Sequence, residues 1–372
     1  MTNKKKNRKK TARTAEVQTQ DAERASGVVI RNTGSAFTVL LPDGREIDSR
    51  IKGSFRLKGI RTTNPVAVGD NVDVAVNPDG SAYITGIHQR KNYIIRRASN
   101  LSKEASILAA NIDQACLVVT LTHPSTSTTF IDRFLATAEA YRVPAIIVIN
   151  KVDLLDNDTT VTPDGTTPDT DESDSTANLL TGEFTEHELL DAVTYLYRSI
   201  GYKVLHVSAL DGSGIDELRQ VLAGKISLVA GNSGVGKSTL INRLIPGLDL
   251  RTAAISDVHD TGMHTTTFSE MFPLPSGGWI IDTPGVRGFG TIEFDRNEVS
   301  HFFPEIFAIG KNCRYGDCTH THEPQCAVRQ ALDAQRADLA RAEQERDRLA
   351  ASLDAQAERA ALERDLALER AS

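Results

Sequence analysis

Gly231-Asn232-Ser233-Gly234-Val235-Gly236-Lys237-Ser238-Thr239 (GNSGVGKST) comes after, not before, Asn150-Lys151-Val152-Asp153 (NKVD). The first stretch fits the phosphate-loop pattern GxxxxGK[ST]. The second fits the base-reading pattern NKxD. In an ordinary P-loop guanine-nucleotide domain the phosphate loop comes first, so the inverted order predicts a circularly permuted domain of that kind.

The flanking residues supply the context that the phosphate loop needs. Lys225 to Ala230 (KISLVA) reads as a short buried strand, and Ser238 to Leu244 as the helix that follows. Glycines between them let successive backbone N–H groups turn toward phosphate oxygens at a helix N-terminus, where the helix dipole favours anions. Lys237 is placed to reach the β and γ phosphates, and the Ser238 hydroxyl to ligate Mg²⁺. Such a loop alone would serve ATP as well as GTP. NKVD makes the distinction, following the apolar run Ala145 to Ile149, which reads as a buried parallel strand. Asp153 can accept both N–H groups on the Watson–Crick edge of guanine, and the Asn150 amide can reach its major-groove edge. Adenine would leave the Asp153 carboxylate unpaired, which is strongly disfavoured.

Three weaker signals fall into the same cyclic order. Lys203 to Leu210 (KVLHVSAL) reads as a strand closing on Ser208-Ala209-Leu210, similar to the GTPase loop whose backbone supports the guanine oxygen. Gly278 to Gly285 (GWIIDTPG) reads as a strand ending in DxxG. There Asp282 would hold Mg²⁺ through water, and the Gly285 N–H would meet the γ-phosphate. Between them, Gly262 to Thr267 (GMHTTT) offers a switch threonine for Mg²⁺, and Thr266 is favoured. Val286 follows DTPG where many GTPases carry a water-orienting Gln, and an apolar side chain cannot orient water. Intrinsic hydrolysis is therefore expected to be slow, with His264 as the in-chain candidate for handling the water.

The 372-residue chain is long enough for two or three domains. It has no apolar stretch of membrane-span length, and its lysine-rich start lacks a signal peptide's apolar core, so a cytoplasmic protein without a membrane partner is expected. The formal net charge of −7 hides local asymmetry. Residues 1–26 form a polar arm that carries seven basic and no acidic residues through Thr14, suited either to solvation or to phosphate backbones. Residues 27–97 contain short alternating runs separated by Pro-Asp-Gly turns, predicting a small OB-like antiparallel barrel. Lys52, Phe55, Arg56 and Lys58 in one loop, and Arg90, Lys91, Tyr93, Arg96 and Arg97 at the barrel exit, give the basic-aromatic mixture that suits RNA.

The permuted nucleotide domain is assigned to residues 98–292. Within it, residues 154–188 contain no Lys or Arg and many acids, which predicts a disordered insertion without chemistry. Residues 293–332 hold three of the chain's four cysteines, Cys313, Cys318 and Cys326, with His320 and His322 between them. Clustered cysteines in a reducing compartment predict a closed Cys₃His zinc site, and local spacing leaves both histidines open as the fourth ligand. Cys116, on an apolar run, reads as a core residue. Residues 333–372, rich in Ala, Leu, Arg and Glu without Gly or Pro, predict a helical extension. Leu332 and Leu339 are one heptad apart, but Arg346 breaks the series.

Together, NKVD, GNSGVGKST, HTTT, DTPG and the cysteine-histidine spacing resemble the bacterial ribosome small-subunit-dependent GTPases, the RsgA or YjeQ family, over roughly residues 27–332. The resemblance implies a multidomain α/β protein: an OB-like barrel, a circularly permuted P-loop GTPase domain and a C-terminal zinc module. It selects His320 as the ligand beside Cys313, Cys318 and Cys326. It implies one zinc ion per chain and Mg²⁺ with GTP. The partners it implies are GTP and GDP and the small (30S) ribosomal subunit with its 16S rRNA. The implied function is GTP hydrolysis during late subunit assembly, by a monomer. Two rival readings are a permuted GTPase of another ribosomal or RNA particle, and an RNA-binding scaffold that senses GTP occupancy with little turnover.

Overall fold

A computed structural model describes residues 22–34, 36–51, 65–97, 105–155, 160–161, 184–250, 269–282, 297–342, 344, 345 and 348. The chain divides into two compact units, Met1–Phe294 and Asp295–Ser372. No helix among the described residues is long and apolar enough to cross a membrane.

The first unit opens with five strands: β1 (Glu23–Asn32), β2 (Phe37–Leu40), β3 (Glu46–Ile51), β4 (Asn71–Val76) and β5 (Ala82–Ile87). They pair in the order β1-β2-β3-β5-β4, and β4 returns to β1, closing a barrel. Alternation buries Val29, Phe37, Val39, Val72, Val74 and Ile84 in its interior, as the period-two reading requires. β1 begins at Glu23, upstream of the point where alternation becomes visible in the sequence, because Ala25, Ser26 and Gly27 give that stretch little hydrophobic contrast.

Beyond the barrel, β6 (Tyr93–Arg97) pairs with β7 (Ala105–Ala110) as a separate ribbon. One sequence reading needs correction here. Arg90 is not a free basic group for RNA: only 9% of its side chain is exposed, and its guanidinium donates to both oxygens of the fully buried Asp70 at 2.7 Å and to the Pro65 carbonyl at 2.7 Å. The second Asp70 oxygen also accepts from the Ala67 N–H. Lys91 pairs with Asp113 and Tyr93 packs on Tyr141, so this exit region holds the ribbon to its surroundings. The basic loop with Lys52, Phe55, Arg56 and Lys58, and the side chains of Arg96 and Arg97, lie outside the described residues.

Next come β8 (Gln114–Val119), α1 (Thr128–Ala140), β9 (Ala145–Ile149), β10 (Thr160–Val161), β11 (Phe184–Thr185), α2 (Glu186–Ile200) and β12 (Lys203–His206). They are followed by α3 (Ile215–Leu222), β13 (Ile226–Ala230), α4 (Lys237–Leu244), β14 (Glu270–Pro273) and β15 (Trp279–Asp282). The central sheet runs β12-β9-β8-β13-β15-β14, parallel except for β14. Its inner strands β8, β9 and β13 are buried on both faces, which explains their continuous apolar runs. Leu117, Ile147, Val204 and Leu228 meet α1 and α2 on one side, whereas Cys116, Val148, Leu205 and Val229 meet α3 and α4 on the other. Cys116 is thus a core residue, and burial pushes its thiol up to about 12.

The acidic stretch is framed rather than wholly irregular. β10 pairs with β11, and α2 starts at once with a capping box: Thr185 accepts from the Glu188 N–H while Glu188 accepts from the Thr185 N–H. Residues 162–183 between the two strands, and 1–21 at the start, lie outside the described residues.

In the second unit, α5 (Pro304–Gly310) precedes the cysteine loop, and a helix α6 runs over residues 327–342. Leu332 and Leu339 on α6 are exposed.

Candidate nucleotide and metal sites

The sequence-predicted nucleotide segments among the described residues begin at the carboxyl ends of parallel strands, where open α/β sheets bind their ligands, and Lys237, Ser238 and Thr239 open α4. Gly231 follows β13, Asn150 follows β9, Ser208 lies two residues past β12, and Asp282 ends β15. The phosphate loop turns into α4 through Gly236, whose φ of 89° lies in the left-handed region. A Cβ there would sit 2.5 Å from the Asn150 amide nitrogen, so both conformation and space call for glycine.

Asn150 is 3% exposed and acts as a clamp. Its Nδ2 donates to the Val235 carbonyl in the phosphate loop at 2.8 Å, and its Oδ1 accepts from the Ala209 N–H at 3.1 Å. One side chain thereby fixes the phosphate loop against the Ser-Ala loop. The Ser208 hydroxyl, fully buried, accepts from the N–H groups of Leu210 and Asp211 and shapes that second loop. Asp153 is exposed, on the single 3-10 turn Val152–Leu154 that follows Lys151, and Lys151 has a left-handed φ of 63°.

The two lysines are prepared for anions. Lys237 is 9% exposed, and its Nζ donates to the carbonyls of Gly231 at 2.9 Å and Asn232 at 2.6 Å. Desolvation lowers its pKa, and the buried carboxylate of Asp282 opposes that shift. Lys151 behaves alike, with burial lowering its pKa against Asp153. A polyanion entering the loop would oppose that lowering and favour the charged form of both.

The segment between β8 and α1 also borders the site. The His123 carbonyl accepts from Lys151 Nζ at 2.6 Å, and Pro124 lies 3.3 Å from where a Cβ on Gly234 would be. That segment is a wall of the site contributed by backbone and proline, which no chemical motif marks. His264, Thr266 and Gly285 lie outside the described residues, as does Val286.

In the second unit, the ligand atoms of Cys313, Cys318, His320 and Cys326 all lie within 4.8 Å of one another. Cys313 Sγ is 3.9 Å from Cys326 Sγ, and His320 Nδ1 is 3.6 Å and 3.4 Å from those two sulfurs. A tetrahedral ion with typical zinc bond lengths needs edges of about 3.8 Å between sulfurs and about 3.6 Å from sulfur to nitrogen, so the cluster can hold a metal ion. His320, not His322, joins it; His322 Nδ1 instead meets the Thr321 hydroxyl at 2.9 Å. Local bonding explains the choice. Glu323 accepts from the N–H groups of Thr319, Thr321 and His322, bracing the loop on both sides of His320. Those bonds, led by the Thr319 hydroxyl, hold the Glu323 carboxyl far below its ordinary range. The Arg329 N–H, in the first turn of α6, points at Cys326 Sγ at 3.5 Å.

Known proteins match this architecture. The family described as RsgA GTPase matches residues 87–169 and 181–292, and the RsgA N-terminal domain matches residues 26–84. A Bacteroides fragilis protein named small ribosomal subunit biogenesis GTPase RsgA is 54% identical over 307 residues, spanning 82% of this chain and 90% of its own. A Porphyromonas gingivalis protein of the same name is 54% identical over 311 residues, with 82% and 90% covered. Among solved structures, YjeQ from Thermotoga maritima superposes with a TM-score of 0.61 at 31% identity, covering 84% of this chain and 93% of that one. YloQ, titled a circularly permuted GTPase, gives 0.58 at 26% identity, with 84% and 90% covered. The two family matches divide the chain at the end of its barrel, so the agreement extends from motifs to architecture, and the chain belongs to the RsgA family of circularly permuted GTPases.

Proposed function

We propose that this GTPase acts on the small (30S) ribosomal subunit late in its assembly, hydrolysing GTP when the subunit binds. The observation that carries the reading is the 54% identity, over 307 residues, to a relative named for small-subunit biogenesis. On this reading the protein works in the cytoplasm as a monomer, and 16S rRNA is the surface it meets.

In the nucleotide site, Asp153 takes the two N–H groups of guanine. The second N–H of the Asn150 amide, beyond the one given to Val235, faces the base. Residues 231–239 wrap the phosphates with their N–H groups, and Lys237 exchanges its two carbonyl partners for β- and γ-phosphate oxygens. Ser238 and Thr266 would hold Mg²⁺, and Asp282 would join them through water; the ion would supply neutralisation of charge developing on the phosphates. Gly285 meets the γ-phosphate. Val286 gives the attacking water nothing to bind, so hydrolysis needs a group that the bound subunit supplies or orders, and His264 is the candidate within the chain. In the second unit Cys313, Cys318, His320 and Cys326 bind one zinc ion as a structural site.

GTP turnover measured alone, with purified small subunits and with large subunits tests the reading. Stimulation by small subunits is expected. Stimulation by large subunits only, or no turnover under any condition, refutes it.

A further inference from the structure

The β14–β15 hairpin connects two segments that the nucleotide site is proposed to use. In sequence, Thr265 to Thr267 come shortly before Glu270, and Thr283-Pro284-Gly285 follow Asp282 directly. Glu270 and Asp282 are register partners in the antiparallel ladder, so both segments leave the hairpin from the same end. That end is gripped by the barrel.

The grip comes from an irregularity in β1. Between Val29 and Arg31 its register against β2 shifts, and at Arg31 it pairs with Glu270 of β14. Bulges commonly redirect a strand in this way. A single row of register partners therefore runs Arg31, Glu270, Asp282, Val229, from the barrel to the strand that feeds the phosphate loop. Among the described residues the main-chain ladder between β1 and β14 shows one register pair, and the side chains reinforce it. Arg31 Nε donates to Glu270 Oε1 at 2.7 Å, Nη2 reaches the same oxygen, and the Asn32 N–H approaches the Ser269 carbonyl at 3.4 Å. Glu46 and Asp48 of β3 add to the field that keeps Arg31 charged.

We propose that Arg31 and Glu270 are positioning residues for subunit-stimulated GTP hydrolysis: through their pair the barrel sets the hairpin that carries Asp282, so that what the barrel binds alters turnover. The proposal rests on the small-subunit reading above. Among the described residues, neither touches the nucleotide loops, and the pair acts through the strand end between them. Its side chains are 44% and 30% exposed, so the coupling is modest.

Arg31→Ala, Glu270→Ala, the double variant and Arg31→Lys test it, each assayed for GTP turnover with and without small subunits. Basal turnover and GDP affinity are expected to stay within about twofold of the parent, while stimulation by subunits falls about threefold in each alanine variant. The double variant is expected to fall no further than either single one, because both remove the same contact. Arg31→Lys, which keeps the charge, is expected to retain more than half of the stimulation. Full stimulation in both single variants overturns the proposal, as does a loss that multiplies in the double. If the parent protein itself is not stimulated by small subunits, the functional reading fails and the proposal falls with it, an outcome distinct from the variant comparison.

Discussion

Replacing Asn150 by alanine removes the clamp between the two nucleotide loops, and the structure sets the scale of the loss. The amide is 3% exposed and makes two bonds, at 2.8 Å to the Val235 carbonyl and 3.1 Å from the Ala209 N–H. Truncation leaves both backbone groups without a partner in a buried place. Each such group costs about 1–3 kcal/mol. Water entering the vacated space offsets part of this, leaving about 2 kcal/mol, or a roughly thirtyfold weaker complex at 1.4 kcal/mol per decade. Titration calorimetry with GDP, whose binding needs both loops but no hydrolysis, measures the change. The melting temperature of the nucleotide-free protein should fall as well, because the clamp is made without ligand. A dissociation constant within about threefold of the parent, with unchanged melting, would refute the clamp.

Three other outcomes follow from the same geometry. Gly236→Ala, forced into a φ of 89° with its methyl 2.5 Å from the Asn150 amide, is expected to abolish GTP and GDP binding, and calorimetric binding near parental strength would contradict that. Cys318→Ser is expected to lose the zinc ion and destabilise the second unit, since structural zinc is folding energy; elemental analysis showing undiminished zinc would count against the site. Asp70→Ala strands the buried Arg90 guanidinium, at a cost of about 3–5 kcal/mol and a drop of roughly 10 °C in melting temperature; a calorimetric scan shifted by less than about 2 °C would show that the pair is not structural.

The parts of this protein that were legible in its sequence are those where chemistry dictates residue identity. A phosphate loop must be glycine-rich and carry Lys237, and a Cys₃His cluster must contain its ligands, so both could be read without neighbours. Doubly buried strands such as Ala145–Ile149 announced themselves as apolar runs. What escaped reading depends on tertiary partners. Arg90 looked like a surface cation because nothing in the sequence reveals that Asp70, twenty residues earlier, would meet it inside the protein. The wall around His123 and Pro124 works through a carbonyl and a ring edge, which leave no chemical signature. Among the described residues, the strand pairing between barrel and nucleotide domain is a single register pair spanning 239 residues, too sparse to create a pattern. Local spacing alone offered two imidazoles around residue 320; the family resemblance favoured His320, and the bonds donated to Glu323 give the choice its physical basis.

If the small subunit acts on the nucleotide site as proposed, binding reciprocity makes the state of the nucleotide alter the hold on the subunit. The most direct test is the affinity of purified small subunits for this protein loaded with a non-hydrolysable GTP analogue, compared with the GDP-loaded form at the same salt concentration. At least about tenfold tighter binding is expected in the GTP-like state, a coupling within the usual range. Equal affinity in the two states would contradict it.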